Sequence, residues 1–288
     1  MRYAINVPNF GDYADPSVFV RLAREAEAAG WDALFVWDHM LGDPDWGVPM
    51  ADPWTLMAAA AAVTERIRLG PMVTPLPRRR PWVVARQAVT LDHLSAGRLT
   101  LGLGLGTPAQ AEFAAFGEDA STTGRVERLE EGLQILDGLW SGETFSHRGT
   151  HYRLEPMRFL PTPVQRPRIP IWLAGWWPHR SAFRRAARWD GVCPASQVTE
   201  ETGQPMPPEE LAAILEVIRE ERGEPGMEGF DVMVAGGTPP GDGAGEIIGP
   251  YAEAGATWWS EGLNGWRGSL AEMEARLRAG PPRLETGG

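Results

Sequence analysis

Few side chains in this sequence could do chemistry, and they recur at one kind of position. Asp38 and His39 follow the apolar run Ala33-Leu34-Phe35-Val36-Trp37, and Asn6 and Asn9 flank the end of a shorter run from Ala4 to Val7. Further groups lie at Gly70 to Thr74, at Gly104 to Thr107, at Gly175-Trp176-Trp177, at Cys193 and at Gly236-Gly237-Thr238. One histidine, one aspartate, several glycines and aromatics suit a site that covers a flat ring and leaves the hard chemistry to a cofactor. A hydrolase or aldolase would need more protein acids and bases here. Side chains of adjacent strand residues point to opposite faces, so Asp38 and His39 are each expected to find their own partner. His39 is read as a hydrogen-bonding or proton-donating group near neutral pH; the alternative is that it caps its loop.

Other candidates are weaker. Gly102, Gly104 and Gly106 alternate with leucines, but the last glycine comes two positions after the central one, whereas the dinucleotide fingerprint needs three. Gly102 is read as relieving crowding, Gly106 as admitting a close approach. His147 and His151 flank Gly149-Thr150, which breaks any helix that would align them as metal ligands, so no metal is expected. Trp46, Trp54, Trp176 and Trp177 are expected in loops as an aromatic wall, and the other tryptophans as packing.

The elements that must position these residues alternate. Strand-like runs at 4–7, 33–37, 67–74, 99–106, 169–174, 192–194, 230–235 and 257–260 are each followed by an amphipathic stretch. These predict helices over 16–29, 53–64, 81–94, 125–139, 180–189, 208–222, 245–254 and 270–279. Strict βα alternation implies a parallel sheet with right-handed crossovers. Eight such units predict an α/β fold, a (β/α)8 TIM barrel forming one domain over 1–288; an open doubly wound sheet is the alternative. The rhythm breaks at 107–122, after strand 4, and at 142–168, after helix 4. Both insertions are expected over the mouth as lids. In either fold the site lies beyond the C-terminal ends of the strands.

Composition removes several classes. All 27 basic residues are arginine, so lysine chemistry, including Schiff bases, is excluded. The net charge of −11 disfavours nucleic acid and anionic membranes as partners. A single cysteine and no apolar leader point to the cytoplasm.

The stretches AREAEAAGWDALFVWDHM, ERIRLGPMVTPLPRRRP, QAVTLDHLSAGRLTLGLGLG, RVERLEEGLQILDGLWSG and PRIPIWLAG resemble the luciferase-like monooxygenase family in order and spacing. That resemblance implies a barrel binding FMN or the 8-hydroxy-5-deazaflavin coenzyme F420 at its mouth, often as a homodimer, for hydride transfer or oxygen activation on a small organic substrate. It implies His39 and Asp38 beside the reactive ring. It further implies cofactor contacts from Asn6, Met72, Val73, Thr74, Gly104, Gly106, Gly175, Trp176 and Trp177, with phosphate near Arg180 and Ser181. A non-proline cis peptide is implied within Gly70 to Thr74. The glutamate that some deazaflavin enzymes carry after the fourth strand falls near Thr107 and Pro108, where this chain has none. The apolar helices 53–64 and 81–94 also point to a homodimer. The alternatives are a catalytically silent flavin-binding protein, which would not turn over substrate, and a cofactor-free lyase or isomerase, which would bind neither cofactor.

Overall fold

The computed structural model describes residues 1–42, 45, 47–223, 226–239 and 243–282; Trp46, one of the expected wall residues, lies outside them. The first βα unit shows why the chain folds as it reads. Strand β1 (Arg2–Val7) leads to helix α1 (Pro16–Ala28), where Asp15 accepts a hydrogen bond from the Ser17 N–H at 2.8 Å and Pro16 opens the first turn. Phe19, Leu22, Ala23 and Ala26 form its buried stripe. Gly30, at φ +87°, ends the unit in a conformation that favours glycine.

The pattern continues through β2 (Ala33–Val36), α2 (Pro53–Ala61), β3 (Arg68–Pro71), β4 (Thr74–Pro75), α3 (Pro81–Leu94) and β5 (Leu101–Gly104). A short α4 (Ala109–Glu112) precedes the long α5 (Thr122–Trp140), and β6 (Thr144–Arg148) and β7 (Arg153–Arg158) form a separate antiparallel hairpin. Then come β8 (Ile171–Trp177), α6 (Arg180–Ala186), β9 (Gly191–Ser196), α7 (Gln197–Thr202), α8 (Pro208–Arg222), β10 (Asp231–Gly236), α9 (Ala244–Ala254), β11 (Trp258–Gly262) and α10 (Leu270–Arg278).

Nine strands form one parallel sheet in the order β3-β2-β1-β11-β10-β9-β8-β5-β4. Its two ends belong to one barrel position, because the strand expected over 67–74 breaks at Met72-Val73, joined by a cis peptide. The first piece pairs with β2, the second with β5, and a parallel bridge between Leu69 and Leu99 brings the ends together. The fold is the TIM barrel. Every second residue faces the lumen, where Ala4, Ala33, Phe35, Met72, Trp172, Cys193, Met233 and Trp258 form one buried cluster. Below it Asp231 accepts from Arg2 at 2.6 Å and from Trp258 Nε1 at 2.9 Å, filling the N-terminal end.

Two expectations fail here. The 142–168 insertion does not cover the mouth: its hairpin lies against α3 and α5. Glu131 of α5 accepts the N–H groups of Thr150, His151 and Tyr152, while Asp92 of α3 accepts those of Val164 and Gln165. Those two carboxylates hold the segment to the flank. Residues 175–177, expected as a loop, continue β8.

Candidate active site

At the C-terminal mouth the chain after β2 is held from three sides. Asn9 is fully buried; its amide donates to the carbonyls of His39 and Ala51, both at 2.8 Å, and its oxygen accepts the His39 N–H at 3.1 Å. Asp38 is also buried. It accepts from Thr74 Oγ1 at 2.6 Å, Arg78 Nη2 at 2.6 Å and Arg79 Nη2 at 3.0 Å. Trp54 opens α2 in the core, not in a loop, and its Nε1 donates to Thr74 Oγ1 at 3.2 Å. Asp38 thus ties the end of β2 to the broken third strand.

His39 has a different partner from Asp38. Its Nδ1 lies 3.0 Å from Oε1 of Glu112, which has no solvent exposure. The same carboxylate accepts the N–H groups of Met40 at 2.9 Å and Gly42 at 2.8 Å, and pairs with Arg78. A carboxylate among donors is acceptor-only, so Nδ1 carries the imidazole proton and Nε2 keeps its lone pair. Nε2 has no hydrogen-bond partner among the described residues. Burial pushes the imidazole down to about 4, with Arg78 adding to the effect and Asp38 opposing it. That direction favours the uncharged imidazole at neutral pH, with Nε2 as an acceptor.

Ringing the lumen one step above the apolar cluster, pleat alternation puts Asn6, Gly104, Ala174, Trp176, Ala195, Ala235, Ser260 and Gly262. Most are small. Two buried oxygens, Asn6 Oδ1 and Ser260 Oγ, have no hydrogen-bond partner among the described residues. Orphaned buried polar atoms within a floor of small residues fit a flat ring with polar edges, the shape of a flavin or deazaflavin. Met72 and Val73 sit beside it, Met72 Sδ 3.2 Å from Cys193 Sγ and Val73 against the lumen cluster.

The remaining expected residues divide. A Cβ on Gly102 would lie 2.4 Å from the Pro71 carbonyl oxygen, so crowding is the reason for that glycine. Gly106 is at φ +85° with Pro75 and Phe113 filling its Cβ position at 2.8 and 2.9 Å, which leaves no close approach there. Gly175 faces Phe183 of α6, and Trp177 packs on the same ring at 6.1 Å. Trp176 alone of the pair is on the lumen side. Arg180 and Ser181 are exposed at the start of α6, Arg180 3.5 Å from Glu220.

Sequence reasoning missed Glu112, Arg78 and Arg79, and it missed the rings beside His39. Glu112 lies five residues beyond Thr107, in a stretch without periodicity, and Arg78-Arg79-Arg80 reads as a solvated charge run. Trp37, Phe10 and Trp266 form a cluster with His39: Trp37 and Trp266 stack at 5.9 Å, and the His39 ring is 6.0 Å from both Phe10 and Trp37.

Among the described residues no group of histidine, cysteine or carboxylate side chains could hold a metal, and no helix is long and apolar enough to cross a membrane. An uncharacterized protein of Mycobacterium tuberculosis is 32% identical over 227 residues, covering 73% of this chain and 74% of its own. An F420-dependent glucose-6-phosphate dehydrogenase of Beutenbergia cavernae is 38% identical over 150 residues, 51% of this chain and 42% of that protein. Among solved structures, the oxygenating constituent of 3,6-diketocamphane monooxygenase from Pseudomonas putida, a type II Baeyer–Villiger monooxygenase in complex with FMN, superposes with a TM-score of 0.65. It is 19% identical, with 86% of this chain and 71% of that one covered. The luciferase-like monooxygenase family model matches residues 1–247, and the chain belongs to that family.

Proposed function

We propose that this protein is an oxidoreductase that binds FMN or coenzyme F420 at the barrel mouth and acts on a small organic substrate. The observation that carries the reading is the neutral His39, its Nδ1 committed to Glu112 and its Nε2 unpartnered, beside a floor of small residues with two orphaned oxygens. Asn6 and Ser260 would bind polar edges of the ring, and Met72, Val73, Thr74, Gly104 and Trp176 would line it. The bound cofactor would supply hydride transfer or oxygen activation.

The chain's own residues then have distinct tasks. Asp38 and Arg78 hold the end of β2 against the third strand, Glu112 fixes the imidazole tautomer, and Nε2 of His39 takes up a proton released by the substrate. The homodimer belongs to the same proposal. Val83 and Leu94 on α3 are 46% and 48% exposed, apolar surface suited to a second copy, and light scattering giving a monomer would refute that part. For the activity, the test is single turnover of cofactor-loaded protein with a panel of small alcohols and ketones, with and without oxygen. Substrate-dependent change in the cofactor's absorbance supports the proposal; a loaded protein inert to the whole panel in both conditions counts against it.

A further inference from the structure

Arg78 does more than hold β2 against the third strand. Its side chain is 6% exposed and reaches both carboxylates at the end of β2: Nη2 lies 2.6 Å from Oδ1 of Asp38, and Nη1 pairs with Oε2 of Glu112. The other oxygen of Glu112 is the one that faces Nδ1 of His39, at 3.0 Å. A buried carboxylate this close to an imidazole ordinarily draws a proton onto the ring and forms an ion pair, which would leave Nε2 unable to accept one. Here that carboxylate is already matched by a guanidinium.

The charges of the cluster lead to the same conclusion. Asp38 and Glu112, 1% and 0% exposed, meet Arg78 and Arg79, so two negative groups face two positive ones. Asp52 touches only the outer member, 3.8 Å from Arg79, and is half exposed. Every oxygen of the two buried carboxylates is also taken. Thr74, Arg78 and Arg79 donate to Asp38, while Arg78, His39 and the N–H groups of residues 40–42 converge on Glu112. A proton added to His39 would be a largely buried charge in a neutral, saturated network, and such a charge is costly.

We propose that Arg78 is a positioning residue for His39: by neutralising Glu112 and Asp38 it withholds an anionic partner from the imidazole and keeps it in the uncharged form that can take up a proton at Nε2. The inference rests on the proposed function for the use of that proton, but its test reads the ring itself. The ring nitrogens of His39 are followed by NMR against pH in the full chain without added cofactor, with His39→Asn for assignment. In wild type the ring should stay uncharged down to about pH 4. Arg78→Gln removes the positive charge, and the midpoint should rise by roughly 1–3 pH units, the effect of one close carboxylate. Arg78→Lys keeps the charge and should stay near wild type. Loosening of the loop alone would also raise the midpoint, so the double variant Arg78→Gln with Glu112→Gln decides. With the carboxylate gone as well, the midpoint should return toward wild type, whereas loosening would leave it high. If Arg78→Gln does not fold, Arg79→Gln makes the same change of charge at the outer edge and should raise the midpoint by a smaller amount. An unmoved midpoint in the charge-removing variant that folds, a rise in Arg78→Lys equal to that in Arg78→Gln, or a double variant as high as Arg78→Gln overturns the inference. Failure to bind either FMN or F420 would refute the proposed function, while the titration still decides on Arg78.

Discussion

His39 and Glu112, 73 residues apart, meet at 3.0 Å between Nδ1 and Oε1, and this contact determines which nitrogen of the imidazole carries the proton. Glu112 does so while gathering the N–H groups of residues 40–42, so one carboxylate both shapes the loop after β2 and orients its histidine. Asp38, the sequence neighbour of His39, instead works through Arg78 and Thr74 on the third strand.

Glu112→Gln should therefore have two effects. Replacing one acceptor oxygen by an amide leaves Arg78 or the loop N–H groups without a partner, which should cost roughly 3–5 kcal/mol as for other broken buried pairs. In protein that still folds, the tautomer is no longer fixed, and turnover should fall about 10–100-fold. Urea melts and kcat on the same preparation check both; a stable variant with wild-type kcat would exclude the positioning role.

His39→Asn should lower kcat by roughly 10²–10⁴-fold, the range for a lost acid–base group, and leave cofactor affinity nearly unchanged. If His39 only caps its loop, the variant would lose stability and keep its turnover.

The pH dependence follows from the neutral imidazole. With its value pushed down to about 4 in the folded protein against an ordinary 6.5, the unfolded chain takes up this proton first. Stability from this group is complete above pH 6.5 and is lost as pH falls through 4. Wild type should lose more stability than His39→Asn between pH 7 and pH 4, and kcat/KM should keep its base until near pH 4. Parallel stability curves for the two proteins would contradict this.

Gly70→Ala tests closure of the barrel. A Cβ there would sit 1.9 Å from the Thr100 carbonyl oxygen on the adjoining chain segment, backbone that cannot swing aside. Destabilisation of at least about 1–3 kcal/mol is expected by thermal or urea unfolding.

What was legible in the sequence was periodicity. Runs such as Ala33 to Trp37 and stripes such as Phe19, Leu22 and Ala26 announce their partners by spacing alone, and eight of each announce a barrel. Where tertiary contacts decide, the sequence is silent. Nothing local breaks the strand at Met72-Val73, and nothing marks Glu112 as different from any helical glutamate until its loop partners are in place. Trp176 and Trp177 illustrate the limit, since which one faces the lumen depends on β8 continuing to Trp177. Trp177→Ala should lower the melting temperature by leaving a gap over Phe183, whereas Trp176→Ala should act mainly on ligand binding. The reverse assignment would mean that β8 is out of register.

The most direct test is an absorbance titration of the folded protein with FMN and, separately, with F420. Saturable perturbation of the ring absorption by one of the two is predicted, weakened roughly tenfold in Asn6→Ala through loss of a buried hydrogen bond. A folded wild-type protein that perturbs neither spectrum would contradict the assignment of the barrel mouth as a flavin-type site.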